Sequence, residues 1–184
     1  GAYSLSAGAL TVNAPVSMGS TSTLNFSGGT LGGNNALTVN GTMNWSGGTM
    51  AGSGGSTTIG TGGALNITAG VTVDSAYALT NAGTATWTGA GNITVQNGAS
   101  ITNAATGVFD AQNNQFFTTG GNGASFTNAG TFKKTAGAGT TTFAIPFTTN
   151  NGTLLVQSGN VQINNNFTNN GTLEFATVNA DSSI

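Results

Sequence analysis

A nine-residue phrase, apolar-Thr-Asn-x-Gly-Thr-apolar-x-apolar, returns along the whole chain and restricts what that chain can fold into. Aligning its glycine gives a column: Gly1, Ser22, Gly41, Gly63, Gly83, Ala105, Gly130, Gly152 and Gly171. Successive members lie 19 to 25 residues apart. A period of this length belongs to solenoids, in which each short unit buries its apolar face only against its neighbours.

Two residues after the column position stands an apolar or small residue, as in Tyr3, Leu24, Met43, Leu65, Ala85, Gly107, Phe132, Leu154 and Leu173. Four residues after it the side chain is mostly large: Leu5, Phe26, Trp45, Ile67, Trp87, Phe109, Lys134, Val156 and Phe175. The residues between, such as Asn25, Asn44, Asn66 and Thr86, are polar. Alternation with period two is the mark of a strand with one face inward. The two inner columns also trade volume, Trp87 beside Ala85 and Phe132 beside Lys134, as a packed interior demands. Lys134 is the one inward charge, and its ammonium is expected to snorkel outward at a corner.

A second short strand follows in each unit, seen in Leu10–Val12 and Val161–Ile163, and a third closes on Ile59, Leu79, Ile101, Phe126 or Phe167. Three strands per unit predict an all-β, right-handed parallel β-helix of about nine coils of roughly 21 residues, with essentially no helix. Residues 1–184 read as one domain, with a loop insertion expected to bulge at 112–123. The column glycines sit next to asparagine, as in Asn40-Gly41 and Asn170-Gly171. That pairing predicts corners that need positive φ, and asparagines able to hydrogen-bond along the stack.

Composition excludes more than it assigns. Only 3% of residues are charged, so Thr, Ser, Asn and Gly must wet the surface. The two basic residues, Lys133 and Lys134, are too few to neutralise a run of phosphates, so nucleic acid is not an expected partner. No apolar run reaches the ~18–20 residues of a membrane-spanning helix. Histidine and cysteine are absent, which removes Ser-His, Cys-His and most zinc arrangements. Four acids remain: Asp74, Asp110, Glu174 and Asp181. Only Asp74 and Asp181 fall near a common strand, and about five coils separate them, roughly 24 Å. A glycosidase pair needs roughly 5–10 Å, so no catalytic residue is assigned and an enzyme is not expected. Gly-rich runs such as Ser46-Gly47-Gly48-Thr49 lack the Gly-Lys-Ser/Thr ending of a phosphate loop and the repeated aspartates of calcium solenoids. No metal or cofactor is expected.

Threonine after the column glycine (Thr23, Thr42, Thr84, Thr106, Thr131, Thr153, Thr172) raises an ice-binding reading, which needs a flat, regular hydroxyl array. The next outward rank is broken by Lys133 and Glu174 and by Val108 and Leu155. Threonine is also a good exposed strand residue. A glycan-binding reading needs exposed aromatics, and Phe117 and Tyr77 are the two that fall outside the inward columns.

The phrases Leu79-Thr80-Asn81-Ala82-Gly83-Thr84, Phe126-Thr127-Asn128-Ala129-Gly130-Thr131 and Phe167-Thr168-Asn169-Asn170-Gly171-Thr172 resemble the strand repeats of large secreted bacterial surface proteins. Filamentous-haemagglutinin-like adhesins and autotransporter passengers are the groups in question. The resemblance implies a right-handed parallel β-helix outside the cell or on its surface, with a stalk, adhesive or matrix role. The ends read in phase: Gly1-Ala2-Tyr3-Ser4-Leu5 matches Gly63-Ala64-Leu65-Asn66-Ile67, and Ile184 matches the apolar residue before a column glycine. Two arrangements follow, a segment of a longer solenoid or a protomer stacking end to end into a fibre. The expected function is structural, with a carbohydrate- or surface-binding adhesin as the alternative and ice binding as a third reading.

Overall fold

The structure, a computed structural model, describes residues 1–175 and is an all-β parallel solenoid with no helix among them. The first of its three sheets has nine strands, from Ala2–Leu5 to Thr172–Phe175. The second and third have eight each, from Ala9–Val12 to Asn160–Ile163 and from Val16–Met18 to Thr168–Asn169. Each strand pairs in parallel with its counterpart one turn away, giving about eight full turns of roughly 22 residues and the opening strand of a ninth. The sequence period had implied nine coils; the last is only begun within the described residues. Both prolines, Pro15 and Pro146, fall at corners, where the N–H they lack is not owed to a ladder.

The pairing registers build two continuous inner columns in the first sheet. One runs Tyr3, Leu24, Met43, Leu65, Ala85, Phe109, Phe132, Leu154, Leu173. The other runs Leu5, Phe26, Trp45, Ile67, Trp87, Ala111, Lys134, Val156, Phe175. Trp45, Ile67 and Trp87 thus lie on successive turns, all but excluded from solvent, and Phe26 stacks on Trp45 at 5.9 Å between ring centres. Val156 is only half-buried and Phe175, on the last described strand, is 65% exposed.

One turn departs from the aligned phrase. Gly107, not Ala105, takes the column position, because Thr84 pairs with Val108 and Ala85 with Phe109. Phe109 therefore belongs to the first inner column and Ala111 to the second. The shift is two residues, which keeps every side chain on its face. Packing explains it: the Phe109 ring lies beside the smallest member of its column, Ala85, and Ala111 lies beside Trp87. In the register of the aligned phrase Phe109 would have paired with Trp87 and Gly107 with Ala85, crowding one column while leaving a void in the other.

Residues 112–123 do not bulge as a loop. They contain the strand Phe116–Thr118, whose Phe117 is fully buried and stacks on Phe143 at 4.4 Å. The extra length is absorbed at the corner after that strand, since Thr118 pairs with Thr94 and Phe126 with Ile101. Tyr77 is likewise fully buried, its hydroxyl 2.9 Å from that of Thr57. Phe109, Phe117, Phe126, Phe132, Phe143 and Phe147 together make an aromatic stretch of core across two turns, with edge-to-face and stacked neighbours.

The glycine column has a different cause from the expected one. None of Gly41, Gly63, Gly83, Gly107, Gly130, Gly152 or Gly171 has a positive φ. A Cβ on any of them would come closer than 3.0 Å to a carbonyl oxygen of the preceding turn, such as Gly130 O beneath Gly152. Close stacking, not backbone handedness, selects glycine here. Positive φ occurs instead at other corners, including Gly29 and Gly48 on successive turns.

Candidate functional site

Polar chemistry inside the rod is concentrated in one ladder. The asparagine of the repeated Thr-Asn step stands at the inward end position of the last five third-sheet strands: Asn81, Asn103, Asn128, Asn150 and Asn169. Each carboxamide Nδ2 donates to the Oδ1 of the next, at 2.8, 2.7, 2.6 and 2.7 Å along the series. The middle members also donate to main-chain oxygens, as Asn128 does to Gly130 O and Thr153 O. Asn103, Asn128 and Asn150 are essentially without solvent exposure. The ladder starts abruptly. Asn81 pairs with Ile59 on the preceding turn, and its Oδ1 has no hydrogen-bond partner. Before that point the same column is apolar, in Met18, Val39 and Ile59.

Lys134 does not snorkel. The residue is fully buried, and its ammonium donates to Asn113 O, to Ala136 O at 2.9 Å, to Thr141 Oγ1 at 3.1 Å and to Asn114 Oδ1 at 3.2 Å. Burial lowers the pKa of the amine from its ordinary value, and four oxygens around the nitrogen oppose that shift by stabilising the charged form. The corners near residues 113 and 137 bring four oxygens within reach of the side chain. That is why the stem stays inside.

The three described acids are dispersed. Asp74 lies at a corner, where it accepts from Asn97 Nδ2 at 2.8 Å, Gln96 Nε2 at 3.1 Å and the Ser75 N–H at 2.5 Å. The amides of Asn97 and Gln96 hold its carboxyl below the usual carboxylate range. Asp110 accepts from Thr135 Oγ1 at 2.7 Å and Gln112 Nε2 at 3.0 Å, with the Lys133 ammonium 3.6 Å away. With Gly107 in the column, Asp110 shares an outward rank with Lys133 and Glu174. Three turns separate Asp110 from Glu174, roughly 14 Å, too far for paired carboxylate chemistry. Asp181 and Ile184 lie outside the described residues. Among the described residues no three acids, histidines or cysteines gather to hold a metal, and no helix is long and apolar enough to cross a membrane.

The outer faces differ from one another. On the third sheet the middle outward rank is Ser17 followed by Thr38, Thr58, Thr80, Thr102, Thr127, Thr149 and Thr168, one per turn and uninterrupted. Beside it runs a rank of small residues: Ala36, Ser56, Ala78, Ser100 and Ser125. On the first sheet the corresponding middle rank contains Asn25, Asp110, Lys133, Leu155 and Glu174. Thr106 drops out of the first-sheet threonine rank, because Val108 stands between Thr84 and Thr131. The regular hydroxyl surface is on a different face from the one the aligned phrase suggested, and reading down the Thr-Asn step of the phrase would have found it.

The first turn is open along the axis. A cavity of about 490 Å³ there is lined by Tyr3, Leu10, Val12, Val16, Met18 and Leu37 among others, with Tyr3 56% exposed. Phe117 and Tyr77, the two aromatics considered for sugar stacking, are both in the core, and Phe116 is the exposed aromatic of that region, at 44%. No protein-family model, no curated protein and no solved structure matches this chain.

Proposed function

We propose that the chain is a structural module of a cell-surface or extracellular assembly, a stiff segment of a stalk, fibre or matrix. The observation that carries this reading is the turn-to-turn pairing of all three sheets along the described residues, continuous but for one register shift between Phe126 and Thr127, with the interior filled by Phe, Trp, Leu, Ile and one asparagine ladder. Such a rod stores its stability in neighbour-to-neighbour interfaces and resists bending and local opening. Eight turns span about 38 Å at the usual strand spacing. We take the coil as right-handed, since parallel strands joined by a crossover in one sheet are right-handed in almost every case. Low charge removes one barrier to axial association.

Immuno-electron microscopy of producing cells, with an antibody against the recombinant chain, tests the location and the role together. Label on filaments, stalks or matrix outside the envelope is the expected result. Label confined to the cell interior overturns the reading.

The threonine face of the third sheet supports a second reading, binding to an ordered water surface. Threonine hydroxyls repeat along the stack at about 4.8 Å in one rank, flanked about 6.6 Å away by a rank of alanine and serine, with no charge in either rank. Thermal hysteresis in the isolated chain, abolished by Thr80→Lys with Thr102→Lys, is the expected outcome of that reading; ordinary freezing behaviour eliminates it.

A further inference from the structure

We propose that Lys134 acts as a tethered cation. Asn113 O, Ala136 O, Thr141 Oγ1 and Asn114 Oδ1 form a small-cation site inside the solenoid, and the chain fills it with its own ammonium. The inference concerns this chain's interior and does not rest on the stalk reading.

The geometry has the features of a hard-cation site. Two donors are main-chain carbonyls, one is a hydroxyl and one a carboxamide oxygen, and all four converge on a single atom. Oxygen sets of this kind replace the hydration shell of monovalent ions and of calcium in other proteins. No carboxylate is among the four partners, so nothing at the site neutralises the charge; only dipoles stabilise it. That selects a monovalent over a divalent occupant, because the cost of dehydration rises steeply with charge.

The partners also show what the cation holds together. Asn113 and Asn114 belong to the corner after the strand Val108–Ala111, and Ala136 to the corner after the strand Thr131–Lys134. Thr141 is the second residue of the second-sheet strand Thr140–Phe143, and its own hydroxyl also reaches Asn113 O at 2.6 Å. Asn114 Oδ1 additionally accepts from Gly139 N at 3.0 Å. One ammonium thus ties two successive corners in the region where the turns are longest. Without a positive charge there, Asn113 O keeps only the Thr141 hydroxyl and Asn114 Oδ1 only the Gly139 N–H, so the crowded oxygens lose the group that draws them together.

Lys134→Met tests this directly. Methionine keeps an unbranched stem in the core but is one atom shorter, which vacates the Nζ position. The variant is expected to unfold at lower temperature than the parent. Ammonium or potassium chloride should then raise its unfolding temperature saturably, as a bound ligand does. Tetramethylammonium at equal ionic strength should not, because it is too large to enter. The parent should respond equally to all three salts. Identical responses of the variant to ammonium and tetramethylammonium overturn the proposal. If Lys134→Met does not fold, nitrogen-15 spectra of the parent decide. A slowly exchanging Lys134 ammonium at neutral pH supports the site, and a neutral amine at that pH refutes it.

Discussion

Replacing Asn128 by alanine is expected to lower the unfolding free energy by about 2–4 kcal/mol, from roughly 1–3 kcal/mol for Asn150 Oδ1, left buried without a donor, and about 1 kcal/mol for the other hydrogen bonds lost. The substitution removes an acceptor for Asn103 Nδ2 and the donor to Asn150 Oδ1, Gly130 O and Thr153 O. Both neighbouring carboxamides are buried, so water cannot replace what is lost. The last rung supplies the internal comparison. Asn169 is exposed, and Asn169→Ala should cost at most about 1 kcal/mol, because water replaces both of its hydrogen bonds, from Asn150 Nδ2 and to Gly171 O. Urea unfolding with an unchanged slope measures both. Equal losses at Asn128 and Asn169 would mean the ladder is incidental to stability. The apolar stretch of the same column, Met18–Val39–Ile59, shows that a fully apolar column is a second workable solution. The cost comes from mixing the two, as at Asn81, whose Oδ1 lacks a partner.

Gly152→Ala should be nearly as damaging, at about 3 kcal/mol, the upper part of the usual range for overpacking a tight site. The obstacle at this position is backbone, not a side chain that can rotate away. A Cβ there meets Gly130 O and the main chain of Ala129, which are held in place by the ladder between turns. Relief would require two turns to separate, breaking rungs on all three sheets. Gly62→Ala is the matched control, since a Cβ there meets nothing within 4 Å and its φ is not positive. Thermal unfolding of the pair separates the steric cause from a general cost of losing glycine. A similar fall for both substitutions would refute the close-stacking account of the column.

The particular residues show where reading the chain as a string succeeds. Trp45, Ile67 and Trp87 were placeable because alternation of period two marks a face wherever the apolar residue is large. The Thr-Asn-x-Gly step announced stacked corners, and its asparagines do stack. The reading failed where local pattern was ambiguous. Ala105-Thr106-Gly107 offers two ways to align one turn, and only the volume of Phe109 against Ala85 and Trp87 decides between them. Gln112–Gly123 looks like an insertion because its glycines and asparagines resemble a loop, yet Phe117 is required by the aromatic core above and below it.

The repeat in the sequence was therefore enough to establish three parallel strands per turn, a thin apolar interior and the inward column of large side chains. Those follow from periodicity, a property of the chain itself. The position of Lys134, the reason for the glycine column and the face that carries the threonine rank were decided only by the tertiary structure. Each depends on what a neighbouring turn presents at a given height: an oxygen cage, a carbonyl under a Cα, a hydroxyl one rung away. Distances between turns are not written in any one of them.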